Sequence, residues 1–365
     1  MLDNALKLLK EINDNGYVAY IVGGYVRDYL LGIESNDIDI CTNATPKDVK
    51  EIFKDSCLPS EDYGSVTVVI KGINYEITTF RKDIGYNDNR HPNEIKYIDS
   101  LDEDLLRRDF TINTICMDKD GYIIDNLGGR KDLESRIIKT VGNSVDKFTE
   151  DSLRILRAIR FATILDFNLD EEVKDAIIKT RDLLSNLSYN RKKEELDKIF
   201  TSPNFRKGIQ LLLDLGLDKT LEIPNLSKVL DSDVSSSIGI WSILNVGDKY
   251  PFNKNEFDII DNVNKVVELD NLNPSVLYKY GLYVNSVAGK IKKDDIKRIT
   301  ETYNNLIIKS RKEINITAEE IMAILNKAPG EYLKDIYDDL EEEILYNRLE
   351  NDKMSISKYI KDKYS

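Results

Sequence analysis

One histidine, His91, is all that this 365-residue chain contains, and its solitude excludes a zinc site built from several imidazoles. Any metal here must be held by oxygen. Cysteine is equally scarce: Cys41, Cys57 and Cys116 are an odd, scattered set without metal-ligand spacing, so they read as buried thiols in a reducing compartment. No run is long and apolar enough to span a bilayer, and none near the start reads as a signal peptide. A cytoplasmic location and no membrane partner are expected. Positive charge is also short, with 52 Lys and Arg against 65 Asp and Glu and a formal charge of -13. Taken alone, that counts against a nucleic-acid partner, because phosphate contacts need cations. The cations nevertheless cluster, at Arg107-Arg108, Arg154 to Arg160, Arg191-Lys192-Lys193 and residues 290–298.

Hydrophobic residues at 41% and charged residues at 32% describe a globular protein, and its length allows two to four domains with a sizeable core. The pattern that organises it comes early. Residues 18–22 read as a buried strand, Gly23-Gly24 lets the backbone turn sharply and approach an anion, and residues 25–31 form a short helix that keeps Arg27 and Asp28 near the turn. Asp37, Ile38, Asp39 and Ile40 then alternate with strand period, so both carboxylates leave one face while the isoleucines enter a core. Two adjacent carboxylates repel each other. A hard divalent cation relieves that repulsion, and Mg²⁺ needs only one or two carboxylates when substrate phosphates supply its other ligands. A surface turn followed by a solvated acidic strand end is the plainer alternative. The closeness of the two parts, and the apolar setting of the aspartates, favour a site.

Residues 2–12 show helical apolar spacing that ends at Asn15-Gly16, and Thr45-Pro46 opens a further helix with Thr45 as N-cap. Residues 66–70 and 75–80 flank residues 71–74 as a hairpin, whose second strand places Glu76 as a candidate third carboxylate beside the aspartates. Residues 81–94 are polar, contain His91-Pro92, and are expected to be a mobile loop. Arg107, Arg108 and Asp109 precede an apolar segment read as a helix. The guanidiniums can serve ribose or triphosphate oxygens, and Asp109 can cap that helix or hold an arginine; a structural ion pair is the alternative. Residues 125–133 mark a turn where a catalytic domain can end.

From about residue 146 the pattern is almost wholly helical. On one helix over residues 149–161, Asp151, Arg154, Arg157 and Arg160 recur every three residues, while Leu153, Leu156 and Ile164 face a core. This is ordinarily a solvated face. It also suits base recognition, because cytosine and adenine each present an amino donor beside a ring-nitrogen acceptor. A fixed carboxylate beside a fixed guanidinium matches both, whereas uracil and guanine present the opposite order. Residues 189–199 form another amphipathic helix in which Arg191 and Glu195 brace the preceding one. Ser202-Pro203 ends it, residues 205–217 are helical, and residues 231–237 connect. Residues 316–325, 327–330 and 331–349 read as helix, turn and long helix.

Together these motifs resemble the class II tRNA nucleotidyltransferases, the CCA-adding and poly(A) polymerase family, in the bacterial form that lacks the histidine–aspartate phosphohydrolase domain a single histidine could not build. The resemblance implies an α+β fold: a small mixed-sheet, palm-like head over residues 1–145, then an all-α neck (146–205), body (206–275) and tRNA-binding tail (276–365). It implies a template-independent enzyme that adds CCA to tRNA from CTP and ATP by two-metal transfer, with Mg²⁺ on Asp37 and Asp39, and Glu76 as a catalytic candidate. Gly23, Gly24 and Arg27 would serve the triphosphate, and Arg107, Arg108 and Asp109 the ribose or phosphates. Glu150, Asp151 and Arg154 would select the base, with Arg157 and Arg160 supporting. A poly(A) polymerase or an enzyme adding only CC or only A remains the nearest rival, although the length of residues 81–94 resembles that of members adding the terminal A. An idle RNA-binding protein gains nothing from paired carboxylates, and nucleotide transfer to a small molecule leaves the helical arm without purpose.

Overall fold

The computed structural model describes residues 1–54, 56–58, 64–86 and 92–365; His91 lies outside them. The chain divides into two compact units, Met1–Glu222 and Ile223–Ser365, with the boundary inside the segment expected as the body. The class is α+β, a mixed sheet in the first unit and helices thereafter.

In the first unit α1 (Leu2–Asp14) buries Ala5, Leu8, Leu9 and Ile12, the stripe that its apolar spacing dictates. β1 (Ala19–Val22), α2 (Gly24–Leu31) and β2 (Asp39–Thr42) follow; Val18 stays outside the strand and exposed. α3 (Pro46–Ile52) opens with a reciprocal capping box between Thr45 and Asp48 and has proline in its first turn. β3 (Ser65–Ile70) and β4 (Ile73–Thr79) form the expected hairpin. Its two turn residues, Lys71 and Gly72, both have positive φ, 52° and 78°, as a type I′ turn demands.

Residues 81–94 are not one loop. β5 (Arg81–Tyr86) and β6 (Pro92–Tyr97) pair antiparallel as a two-stranded ribbon; the expectation of mobility otherwise falls on residues 87–91, outside those described. A ribbon exposing Lys82, Ile84 and Glu94 needs no apolar alternation, so its polarity resembled a loop's. After α4 (Leu101–Leu106), the segment expected as an apolar helix is a short 3₁₀ turn, Thr111–Asn113, leading to β7 (Cys116–Met117) and β8 (Ile123–Ile124). The six-stranded sheet runs β3-β4-β2-β1-β7-β8, with β2 and β4 parallel and the other neighbours antiparallel. Ile21, Ile40 and Ile77 are register partners on one face, buried on the side where Tyr75 donates its hydroxyl to the carbonyl of Met1, which precedes α1. On the other face Val22, Cys41, Phe80, Leu105 and Cys116 form a cluster. Cys41 and Cys116 are buried as expected, whereas Cys57 is only half-buried.

Within residues 125–133, Asp125 accepts the Gly129 N–H (2.8 Å) and α5 (Gly129–Glu134) begins. The helix expected over residues 149–161 is two helices, α6 (Ser144–Glu150) and α7 (Leu153–Ile164). They break at Asp151, whose backbone is extended (φ -143°, ψ 103°) and whose carboxylate accepts the Leu153 N–H at 3.0 Å; a side chain serving its own backbone competes with helix continuation. α7 is buried nearly all round, through Ile155, Leu156 and Ile159, and Ile164 is exposed rather than in the core. α8 (Glu171–Thr180), α9 (Tyr189–Phe200), α10 (Phe205–Asp214) and α11 (Leu217–Thr220) complete the unit. The last two replace the single helix expected over residues 205–217, because Gly216 adopts a left-handed conformation between them.

The second unit is helical: α12 (Leu226–Asp231), α13 (Ser237–Leu244), α14 (Lys254–Val267), α15 (Pro274–Lys292), α16 (Ile296–Asn304), α17 (Ala318–Leu325), α18 (Tyr332–Leu345) and α19 (Lys353–Tyr364). α15 kinks at Gly281. α18 stops four residues before the expected end, and α19, for which the sequence raised no expectation, buries Ile356 and Ile360 against Ile321, Leu340 and Ile344. Among the described residues no helix is long and apolar enough to cross a membrane.

Gly129 sits where a Cβ would meet the Thr111 carbonyl oxygen at 2.3 Å. Main chain cannot swing aside as a side-chain tip can. Gly129→Ala is expected to destabilise the first unit by about 1–3 kcal/mol, measured as a lowered urea midpoint by circular dichroism.

Candidate active site

β1 ends beside Gly23, whose backbone (φ 81°, ψ -134°) is closed to residues with side chains. The turn starts α2 at Gly24 and brings Arg27 back over a cavity of about 570 Å³. Arg27 donates Nε to Asp28 Oδ1 and Nη1 to Asn113 Oδ1, both at 2.8 Å.

Asp39 opens β2 and pairs with Glu76 of β4, so the two point from the same face of the sheet. Asp37 is exposed, Ile38 fully buried and Asp39 half-buried, the burial alternation expected, although the strand begins only at Asp39 and Asp37 and Ile38 precede it. Burial first, and then the charges of Asp37 and Glu76, push the Asp39 carboxyl up to about 6, against the pull of Arg108. Glu76 itself is exposed and lies outside the cavity lining. Among the described residues no three His, Cys, Asp or Glu side chains converge as a finished metal cage.

Arginines face these carboxylates. Asp104 on α4, fully buried, accepts Arg107 Nε at 2.9 Å on one oxygen and Arg108 Nη2 at 3.2 Å on the other, and also takes the Arg81 N–H at 3.1 Å. Asp109 does not cap a helix. Its Oδ1 accepts the Phe110 N–H and Asn113 Nδ2, and its Oδ2 accepts Arg157 Nε and Nη2 at 2.8 and 2.5 Å. Arg160 pairs with buried Glu195 at 2.8 Å, so α9 does brace α7. Arg154 donates to the carbonyls of Lys147 and Arg107, both at 3.1 Å, and to Glu150 at 2.6 Å. Arg27, Arg157 and Arg160 also stand 5.1, 5.4 and 4.5 Å from the centre of the Phe161 ring.

One cavity thus gathers Gly23, Gly24, Arg27, Asp37, Asp39, Arg107, Arg108, Asp109, Asp151, Arg154, Arg157 and Arg160. Seven of its lining side chains are cationic and four anionic, so a polyanion is favoured here despite the acidity of the whole chain. Glu150 lines a smaller neighbouring cavity of about 170 Å³, with Lys147 and Arg107. Asp151 has its carboxyl raised by burial, with Arg154, the Leu153 N–H, Arg191 and Arg157 pulling the other way. Asp104, Asn113, Phe161 and Lys198 escaped the sequence reading. Asp104 had a signal, its spacing of three and four residues from Arg107 and Arg108; Lys198 and Phe161 sit where helical spacing shows a position and not a role.

Three family models match successive parts of the chain: the poly A polymerase head domain over residues 19–139, the probable RNA and SrmB-binding site of polymerase A over 166–229, and a putative tRNA nucleotidyltransferase domain 2 over 250–360. The CCA-adding enzyme of Ligilactobacillus salivarius is 34% identical, covering 96% of this chain and 93% of that protein. That of Bacillus pumilus is 33% identical, over 98% and 96%. The crystal structure of the Bacillus stearothermophilus CCA-adding enzyme in complex with CTP superposes with a TM-score of 0.84 at 28% identity, over 98% of this chain and 96% of that one.

Burial alone would raise the Asp109 carboxyl, but Arg157, Asn113 and the Phe110 N–H outweigh it and hold it at about 2. A carboxyl depressed in the folded state stabilises at pH above its ordinary value, and that contribution is lost as pH falls through the folded value. Asp109→Asn is therefore expected to be less stable than the parent by about 2 kcal/mol near neutral pH. The two stabilities should converge between about pH 4 and pH 2, as followed by urea unfolding across that range.

Proposed function

Because the chain belongs to the family of CCA-adding enzymes, we propose that it adds C, C and A, drawn from CTP and ATP, to the 3′ end of tRNA without a nucleic-acid template, releasing pyrophosphate each time. Asp37 and Asp39 line the same cavity as Asp151 and Arg154, and that juxtaposition carries the reading. It sets two carboxylates suited to a cation beside a donor–acceptor pair suited to the edge of cytosine or adenine. In this assignment residues 1–145 are the catalytic head, 146–205 the neck, 206–275 the body and 276–365 the tail that grips tRNA. The cytoplasm is the compartment that goes with such a substrate.

Mg²⁺ is the proposed cofactor, with Asp37 and Asp39 as its holders. The donor set fits: hard oxygens, one raised to about 6 by burial and by its acidic neighbours, form a site whose repulsion a hard cation relieves and whose remaining ligands a triphosphate supplies. When bound, Mg²⁺ stabilises charge on the phosphates and acidifies the attacking hydroxyl of tRNA. The chain's own residues do the rest. Arg27 and Arg108, which line the cavity beside Gly24 and Gly23, orient the triphosphate. Arg107 and Arg108, forked onto Asp104, present fixed N–H groups to ribose or phosphate. Asp151 accepts the amino group of the base while Arg154 donates to its ring nitrogen, in a plane set by Glu150 and two backbone carbonyls. Glu76 acts on Asp39 by charge across the strand pair. No histidine base is involved.

Asp39→Asn is expected to fold and to reduce incorporation to background, read as extension of radiolabelled tRNA truncated before the first C, the second C or the final A; normal extension by a folded variant overturns the assignment. The parent should complete each acceptor and stop. Longer tails identify a poly(A) polymerase, and acceptance of one acceptor alone a partial enzyme. Asp151→Ala is expected to erode the preference for CTP and ATP over UTP and GTP by about ten- to a hundredfold, the worth of one good base contact, measured as kcat/KM for each nucleotide.

A further inference from the structure

Three arginines converge on one aromatic ring. Arg27 comes from α2, and Arg157 and Arg160 from α7. Their guanidinium carbons lie 5.1, 5.4 and 4.5 Å from the centre of Phe161, all inside the roughly 6 Å within which a cation is drawn to a ring face. Phe161 follows Arg157 by four residues on the same helix, which lays its ring against that side chain. The ring lines the cavity yet is only 8% exposed, and Phe110 fixes it edge-on at 5.7 Å with planes 79° apart.

Guanidiniums this close repel one another, and the carboxylates that offset them pull in different directions. Arg27 pairs with Asp28 on its own helix, Arg157 with Asp109 before the 3₁₀ turn, and Arg160 with Glu195 on α9. Each carboxylate anchors one arginine to one element. Phe161 is common to all three, and its negative face attracts cations without consuming the N–H groups that phosphate oxygens need. An aliphatic side chain of similar volume would fill the space and leave the arginines unanchored on that side.

We propose that Phe161 is a positioning residue for nucleotide binding, its ring holding Arg27, Arg157 and Arg160 in the arrangement that receives the phosphates. The inference rests on the nucleotide-binding reading of the cavity. Its ligand chemistry is that of a nucleoside triphosphate, and the ring acts through the arginines.

The test is a series of full-length proteins with phenylalanine at position 161 alone replaced by its mono-, di- and trifluoro analogues, which drain the ring face of negative charge while nearly keeping its shape. KM for CTP and ATP is expected to climb with each fluorine to about tenfold, with the KM for tRNA and the melting temperature unchanged. Phe161→Leu, which keeps apolar packing, is expected to show the same rise. A KM that stays flat along the series, or one that rises only together with the KM for tRNA or with a falling melting temperature, overturns the inference. Arg27→Ala in the otherwise native protein separates the two levels. If it raises the KM for nucleotides while fluorination does not, only the role of the ring fails; if it leaves that KM unchanged, the nucleotide reading of the cavity fails and the inference with it.

Discussion

Like charges cannot be crowded into a half-buried cavity unless something holds them, and the first unit is built around that constraint twice over. On one side Asp39 is squeezed between burial, Asp37 and Glu76 until its carboxyl is raised to about 6. On the other, six arginines line the space. Five carboxylates from separate elements neutralise all six, Asp104 serving both Arg107 and Arg108: Asp28 on α2, Asp104 on α4, Asp109 before the 3₁₀ turn, Glu150 on α6 and Glu195 on α9. Folding the unit therefore assembles charges of both signs around one cavity, the acidic and the basic groups each held against their own repulsion.

Much of this was legible in the residues. Strand alternation through Asp37 to Ile40 foretold which side chains would be buried, and Gly23 turned out to need the backbone freedom that only glycine has. The Thr45 cap and the Lys71-Gly72 turn are local devices, written in a few consecutive positions, and they formed where the sequence put them. The arginine-rich helix likewise carried its charges at a spacing that leads to one cavity.

What escaped was tertiary. β5 and β6 form a ribbon with exposed polar side chains, so no face had to be apolar and the strand period left no trace. Asp104 looks like one more acid on a helix surface until the fold brings Arg81 to it and buries it completely. The interruption at Asp151 was hidden because the spacing of the charges runs on across it, while the capture of the Leu153 N–H by the carboxylate, which accompanies the break, is a local bond that spacing does not show. Phe161 went unremarked because its three cationic neighbours come from two helices and could not be counted from one.

Arg154 is seated on the peptide carbonyls of Lys147 and Arg107, atoms that every amino acid carries alike. Two of the contacts that seat the arginine proposed to read the base are thus made by parts of the chain that substitution cannot erase, and Glu150 supplies a third. Anyone wishing to rewrite the letters this protein appends would find little purchase on the arginine's seat. The other handle is Asp151, whose carboxylate both lines the cavity and captures the Leu153 N–H at the break between two helices, so that a change in its reach moves the acceptor and the break together.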